Sequence, residues 1–321
     1  MNYFFAGKAV RRDEISKRLT GFPALFYYFY IYMEAEVHIL FSSDYYEICD
    51  FKCLCNECTR SKTEYNEHLS LCVTRSGNFY YNAFRGSLDT YTGSVLVSKP
   101  GYDYSVTHPG EIPDECTIII FKKKFYEDIA GQLQLNAHWF FSNKDIQSLL
   151  LKTSPQLEQL HYSLLQAARH RSPGKLEMDS LVMEILEEVL SRFTNYEMPQ
   201  ALPARLKKHH LVTIEKAKQY LSENLSKNIS LEELAMHCCI SPFHFSRVYK
   251  TFTGYSVYQY LQLMRLKHAE MLLGTPLPVA DIAFQSGFNS IDYFSAAFKK
   301  QYRLSPSAFR TSRKKTARFH K

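Results

Sequence analysis

Three regimes of hydrophobic patterning follow one another along the chain. Up to residue 32 a basic stretch with Lys8, Arg11, Arg12, Lys17 and Arg18 runs into an aromatic run, Phe22 to Met33. From Val37 the apolar positions fall into short blocks: Val37–Phe41, Leu69–Arg75, Asn78–Phe84, Ser94–Ser98, Tyr104–Thr107 and Cys116–Phe121. Turn pairs separate them, among them Ser76-Gly77, Thr92-Gly93, Pro100-Gly101 and Pro109-Gly110. Short blocks at this spacing predict the strands of a small sandwich or barrel. From about Asn143 the period lengthens: Leu157, Leu160, Leu164 and Leu165 predict one helix, and Leu181, Ile185, Leu186 and Val189 a second, with Ser172-Pro173-Gly174 between them.

Beyond His210 every segment reads as helix. Thr213 to Asn224 is the first, after the Pro-containing stretch Met198–Lys208, which is the best linker. Ser230 with Glu233 three residues on has the spacing of a capping box. Ser241-Pro242 opens a helix by N-cap and N1 proline, and Gly254 closes it. A long helix runs from about Ser256 to Leu273, where Gly274 stops it. A short helix lies between Pro278 and Ser286, Ser290 caps another that runs to about Tyr302, and Ser305-Pro306 starts the last.

Charge divides the 321 residues in the same place. The net charge is +7, with 39 Lys and Arg against 32 Asp and Glu. From Arg205 onward 19 basic residues face 7 acidic ones, whereas residues 1–204 carry 20 and 25. A basic helical half behind a mildly acidic half predicts one part that meets a polyanion and one that does not. No apolar stretch reaches the roughly 20 residues that span a bilayer, so a cytoplasmic protein without a membrane partner is expected. No Ser-His-Asp order, glycine-rich phosphate loop or helical His-x-x-x-His is present, so no enzyme is expected.

The helical half contains two short-helix, turn, longer-helix units, at about 230–252 and 278–302. Leu231, Leu234 and Ala235 face inward in the first; Val279, Ile282 and Ala283 do so in the second. The long helix between them can hold two reading helices about one DNA turn apart. At these residues the chain resembles the AraC family of bacterial regulators. The resemblance rests on Ala235, Ser241, Phe245-Ser246-Arg247, Gly254, Arg265-Leu266, Ala269 and Leu272-Leu273. It continues through Asp281-Ile282-Ala283, Gly287-Phe288-Asn289-Ser290, Tyr293-Phe294, Phe298-Lys299-Lys300 and Ser305-Pro306. It implies sequence-specific binding of double-stranded DNA, with base contacts from Phe243, Ser246, Arg247 and Lys250 on the first reading helix. On the second it implies Ser290, Ile291, Asp292, Ser295 and Lys299. An arginine can fork onto guanine O6 and N7, and an aromatic can press on a thymine methyl. Two positions depart from the family pattern: Ala296 where an Arg is usual, and Arg303 where a Gly is usual. The tail residues Arg310, Arg313, Lys314, Lys315, Arg318 and Lys321 read either as added phosphate contacts or as a free basic end.

Val37 to Phe121, and above all Val95–His108, resembles the small β-barrel (cupin-like) sensor that precedes many such modules. The expected fold is therefore α+β and multidomain: residues 1–32 an N-terminal extension, 33–125 the sensor barrel, 126–197 a helical dimerisation or connector region, 198–210 a linker, 211–312 the all-α double helix-turn-helix domain and 313–321 a basic tail. An unknown small-molecule effector, RNA polymerase and a second copy of the chain are the implied partners. Translation starting at Met33 is one reading of the extension; a short amphipathic helix with an edge strand is the other. Cys53, Cys55, Cys58 and Cys72 suggest a zinc site, with Cys49, Cys116 or His68 as further ligands; a thiol switch and plain buried thiols stay open. Two other classes are weighed: a zinc-thiolate, methyl-accepting DNA-repair regulator, and an architectural DNA-binding protein. The cysteines lack the paired spacing of the first, and the second needs no residues ahead of the linker.

Overall fold

The computed structural model describes residues 35–54, 60–83, 86–109, 113–169 and 173–319, with side chains described as far as Arg313. The N-terminal extension and the start at Met33 lie outside the described residues, as do Cys55 and Cys58.

Ten strands build two antiparallel sheets: β1 Ala35–Ser42, β2 Tyr46–Cys53, β3 Glu64–Asn66, β4 Leu69–Ser76, β5 Asn78–Ala83, β6 Gly86–Tyr91, β7 Ser94–Ser98, β8 Tyr102–Thr107, β9 Glu115–Phe121 and β10 Ser148–Lys152. The six-stranded sheet has the order β1-β2-β9-β4-β7-β10, and the four-stranded sheet β3-β8-β5-β6. Alternation along each strand assigns its two faces. On the large sheet Ile48, Leu71, Val73, Val97 and Ile119 face a helical layer, while Phe51, Cys72, Leu96 and Cys116 face Phe79, Tyr81 and Val106 of the small sheet. The helical layer is α1, Pro155–Ala168, and α2, Lys175–Ser191. Its Leu157, Leu164, Val182 and Ile185 are fully sealed beneath the sheet.

Four strands differ from expectation, the first being β3, whose three residues are too few to show an alternation. β2 hid in the cysteine-rich stretch, whose polar Glu47, Asp50 and Lys52 obscure the alternation. β6 hid among the polar residues after Gly86. β10 falls where a helical pattern was expected. Its Leu149-Leu150-Leu151 triplet fits either period, and the free edge of β7 decides it, pairing Leu150 with Leu96. Leu149 and Leu151 then point to the helices and Leu150 to the small sheet.

The second half is helical throughout: α3 Ala204–Glu223, α4 Leu231–His237, α5 Pro242–Thr253, α6 Val257–Leu272, α7 Val279–Gln285, α8 Ile291–Tyr302 and α9 Pro306–Phe319. α3 begins at Ala204, so the second half of the expected linker is helix. The long α6 serves two cores. Tyr260, Leu261 and Met264 join Leu234, Ala235, Phe245 and Tyr249, whereas Leu266, Ala269 and Leu273 join Ile282, Ala283, Phe294 and Phe298. The Ser230 hydroxyl accepts from the Glu233 amide at 3.0 Å, but the Glu233 carboxylate turns to the Tyr220 hydroxyl. The complete capping box is at Ser256 and Gln259.

Both units turn through left-handed backbone at matching places. Cys239 (φ 55°) and Gly287 (φ 82°) make the inner turns; Gly254 (φ 83°) and Arg303 (φ 62°) end the second helices. Each unit thus has one glycine and one side chain where glycine fits best, at opposite ends. Cys239 is exposed in its turn, while Cys238 is buried, so only Cys238 packs as expected of that pair.

The two halves touch. Tyr91 of β6 enters the first helix-turn-helix core, edge-on to Phe252 with centroids 6.3 Å apart. Glu215 of α3 accepts from the Gly77 amide at 2.9 Å and the Thr92 hydroxyl at 2.8 Å. Lys207 pairs with Asp89 at 2.7 Å, and Lys218 with Glu158 at 2.6 Å.

Two outcomes are expected. Arg303→Gly relieves the Cβ strain of a left-handed residue and raises stability by about 1 kcal/mol. Gly287→Ala lowers it, because a Cβ there meets the Leu225 carbonyl oxygen at 2.6 Å. Thermal melts of both variants check this; an unchanged Arg303→Gly melt contradicts the left-handed assignment. The second outcome concerns His161, buried on α1 with its Nε2 2.9 Å from the Thr117 hydroxyl. Burial pushes its pKa down to about 4 from 6.5, against the pull of Glu158. The folded state therefore holds it neutral. The stability this gives is intact above pH 6.5 and is lost as pH falls toward 4, at up to about 1.4 kcal/mol per pH unit. His161→Gln flattens that part of the melting temperature profile; an equally steep fall in the variant places the acid sensitivity elsewhere.

Candidate nucleic-acid interface

α5 buries Phe245, Val248, Tyr249 and Phe252 in the first core. The opposite face carries Phe243, Arg247 and Lys250 at helical spacing, all exposed, with Ser246 half-buried beside them. Phe243 leaves 77% of its surface to solvent, far more than a packed aromatic would. The Arg247 guanidinium lies 5.9 Å from the Phe243 ring centre, an attraction that holds both side chains on the same outward ridge. A planar five-donor fork and an apolar edge are thus presented together, on a helix narrow enough for a major groove.

α8 repeats the arrangement with different chemistry. Counted from the N-caps Ser241 and Ser290, Phe243 corresponds to Asp292, Ser246 to Ser295, Arg247 to Ala296 and Lys250 to Lys299. Phe294 and Phe298 are buried; Ile291, Asp292 and Lys299 are exposed and Ser295 is half-buried. The Ser290 hydroxyl accepts from the Tyr293 amide at 3.3 Å, so this residue caps the helix while staying at the surface. The second face therefore offers one cation and one carboxylate where the first offers two cations.

Two arginines fix how the units sit. Arg265 of α6 donates to the Leu225 carbonyl at 2.9 Å and the Lys227 carbonyl at 2.6 Å. Arg310 of α9 donates to the Leu273 carbonyl at 3.3 Å and the Leu277 carbonyl at 2.6 Å. Each binds the chain that leads into its unit's first helix. Arg313 pairs with Glu270 at 3.1 Å and Glu184 at 3.3 Å. Arg310 and Arg313 are thus spent inside the protein, which corrects their reading as tail cations free for phosphate: nearby carbonyls and carboxylates outcompete solvent for them. The side chains of Lys314, Lys315, Arg318 and Lys321 lie outside the described residues.

Sequence reasoning missed a polar groove between the units. There the Tyr258 and Tyr293 hydroxyls meet at 2.6 Å, the Gln262 amide donates to Tyr293 at 2.8 Å, and the Asn289 amide donates to Asn228 at 3.0 Å. Tyr258 is 62% exposed on a helix whose other aromatic, Tyr260, is sealed. That outward tyrosine beside the inward face of a long helix was the signal available in the sequence.

Between the two sheets lies a cavity of about 140 Å³, walled by residues such as Phe51, Phe79, Leu96 and Val106. Besides Asn66, Glu67, His68, Ser70 and Ser98 in its wall, two polar clusters stand at it. The Tyr104 hydroxyl donates to Glu64 at 2.6 Å, and the Tyr81 and Tyr102 hydroxyls meet at 3.2 Å. At the other, His108 Nε2 and Asp114 Oδ1 are 2.5 Å apart, and the Cys116 thiol donates to Asp114 Oδ2 at 3.4 Å. Burial works against the charged imidazole, but Asp114 and Cys53 hold the His108 pKa up at about 9. Burial pushes the Cys49 thiol up to about 12, so it stays protonated. Of the four cysteines expected to ligate zinc, Cys53 and Cys72 are described, and both are buried on the inner face. Among the described residues the donors that close to ligand spacing are Cys53, His108 and Asp114, without Cys72.

The family described as "Helix-turn-helix domain" matches residues 234–312. The regulatory protein PocR of Salmonella typhimurium is 31% identical over 102 residues, 32% of this chain and 34% of that protein. The arabinose operon regulatory protein of Escherichia coli is 35% identical over 99 residues, 30% of this chain and 34% of that protein. Among solved structures, the C-terminal domain of AraT, a response regulator of Geobacillus stearothermophilus, is 34% identical; the match covers 31% of this chain and 84% of that one, with a TM-score of 0.31. The chain spans about a third of the length of the curated relatives it matches. With two matched units on one shared helix, the carboxy-terminal module of this chain is a double helix-turn-helix DNA-binding domain of the AraC family.

Proposed function

We propose that the whole chain is a sequence-specific transcription regulator, controlled by a small effector that enters the β-sheet half. The observation that carries this reading is the outward ridge of Phe243, Arg247 and Lys250. It stands on a helix whose opposite face is sealed into a core completed by α3, α4 and α6. A merely structural bundle has no reason to leave a large aromatic and two cations bare there. The relatives matched are regulatory proteins by name, one of them of an operon. A cavity in a separate β-sheet half, joined to the DNA module through Tyr91 and Glu215, is the place where an effector would act.

In this reading the first unit reads sequence. The second, with Ala296 in place of Arg, holds the duplex through Lys299 and backbone contacts. Ser246 and Lys250 supplement Arg247; Ser290, Ile291, Asp292 and Ser295 form the weaker second face. The homodimer and RNA polymerase belong to the same proposal, as does a cytoplasmic location. Among the described residues no helix is long and apolar enough to cross a membrane. The matched relatives are regulators rather than enzymes, and the architectural alternative leaves the cavity and its coupling to α3 without a role.

The experiment is a site selection on random DNA, followed by affinity measurement at fixed salt. Arg247→Ala weakens specific binding by about 1–3 kcal/mol, roughly 5- to 150-fold, while far-ultraviolet dichroism stays unchanged. Ala296→Arg tightens binding or leaves it unchanged. Wild-type affinity in Arg247→Ala at physiological salt overturns the assignment of α5 as the reading helix.

A further inference from the structure

We propose that Cys53, His108 and Asp114 bind one divalent transition-metal ion of the zinc class at the end of the β-sheet cavity. The proposal is independent of the DNA-binding reading. It concerns a donor set that no single stretch of sequence contains.

Three separate elements deliver the donors. Cys53 is the last residue of β2, His108 follows β8, and Asp114 immediately precedes β9. The thiol sulfur, a ring nitrogen and a carboxylate oxygen all lie within 4.8 Å of one another. All three are shielded: Cys53 is 1% exposed, and the His108 and Asp114 side chains 6% and 3%. Metal–ligand bonds of ~2.0–2.3 Å place tetrahedral ligands ~3.3–3.8 Å apart. The ion therefore needs the His108–Asp114 hydrogen bond, at 2.5 Å, to open.

The backbone is already fixed for this. The Cys53 amide donates to the Asp114 carbonyl at 2.9 Å, tying the end of β2 to the start of β9. Gly77 packs so closely on Pro113 and Asp114 that a Cβ would meet the Pro113 carbonyl oxygen at 2.7 Å and the Asp114 Cα at 2.8 Å. The Cys116 thiol holds the second carboxylate oxygen. Partners of this kind orient ligands in metal sites.

Charge and softness select the occupant. One thiolate and one carboxylate neutralise one divalent cation, so the occupied site is neutral in a buried place. Sulfur with imidazole nitrogen excludes calcium and magnesium, which take oxygen ligands. Binding releases two protons to solvent: the Cys53 thiol proton and the one shared by His108 and Asp114. The His108 imidazole becomes a neutral ligand, and no electron is transferred. His108 and Asp114 line the cavity. The fourth coordination position therefore faces the cavity, where water or a ligand with a carboxylate or thiol group would complete the tetrahedron. An ion here also joins the large sheet, through β2 and β9, to the small sheet, through β8.

The test uses the full chain, purified without a histidine tag under reducing conditions and supplied with zinc. About one equivalent of zinc per chain is expected, with X-ray absorption showing one sulfur and otherwise nitrogen or oxygen neighbours. Cobalt in its place gives a thiolate charge-transfer band and tetrahedral visible bands. His108→Ala and Asp114→Asn each lower the bound zinc at least tenfold, while the Cys55→Ser, Cys58→Ser double variant keeps it. The absorption measurement on unaltered protein is the second readout, independent of whether His108→Ala or Asp114→Asn folds. Three or four sulfur neighbours, zinc lost only with Cys55 and Cys58, or no bound zinc in the unaltered chain each overturn the proposal.

Discussion

A unit of two short helices is too small to bury its own apolar face, and the DNA-binding half is built around that constraint. Leu234, Ala235, Phe245 and Tyr249 of one unit and Ile282, Ala283, Phe294 and Phe298 of the other all need a surface to close against. One helix, α6, closes both: its first half presents Tyr260, Leu261 and Met264, and its second half Leu266, Ala269 and Leu273. Because a helix is stiff over this length, the spacing and mutual rotation of α5 and α8 are fixed by packing and not by flexible connections. The outward ridges exist only because their opposite faces are spoken for.

Backbone chemistry then sets how tightly each unit folds onto that helix. Arg265 and Arg310 each reach two carbonyls of the chain entering a unit, satisfying acceptors in the segments that follow α3 and α6. The first of these clamps runs beside Gly287, whose missing side chain makes room for the Arg265 guanidinium and the Leu225 carbonyl. The inner turn of the second unit and the anchoring of the first are thus one piece of packing. The equivalent turn of the first unit meets no such crowding and carries Cys239 instead.

The two halves of the chain share a wall. Tyr91 at the end of a strand belongs to the first helix-turn-helix core, and the hairpin around Gly77 and Thr92 is gripped by Glu215. Gly77 also packs against Asp114. A change at the Asp114 end of the cavity is therefore two contacts away from α3, which is the physical route by which an event between the sheets would reach the reading helices.

The double helix-turn-helix was legible from residues alone, because its signals are local: caps at Ser230 and Ser290, a glycine stop at Gly254, and apolar positions at helical spacing. The outward faces of α5 and α8 were implied by the resemblance to the AraC family. Local signals failed for β2, β3, β6 and β10, where alternation is masked by polar residues, the strand is only three residues long or three leucines suit either period, and partner strands made the choice. They failed for Arg310 and Arg313, which look like free cations until α6 and α2 bring carbonyls and carboxylates to them. They failed most for the buried donors. The sequence places Cys53 beside Cys55 and Cys58, but a strand's end is defined by its neighbours. Only the pairing of β2 with β9, and the stacking of the two sheets, sets Cys53 next to His108 and Asp114, more than fifty residues away along the chain. What depends on the helical or strand period of one segment is written in that segment; what depends on which surfaces meet is decided by the tertiary fold, because burial and hydrogen bonding are satisfied between segments.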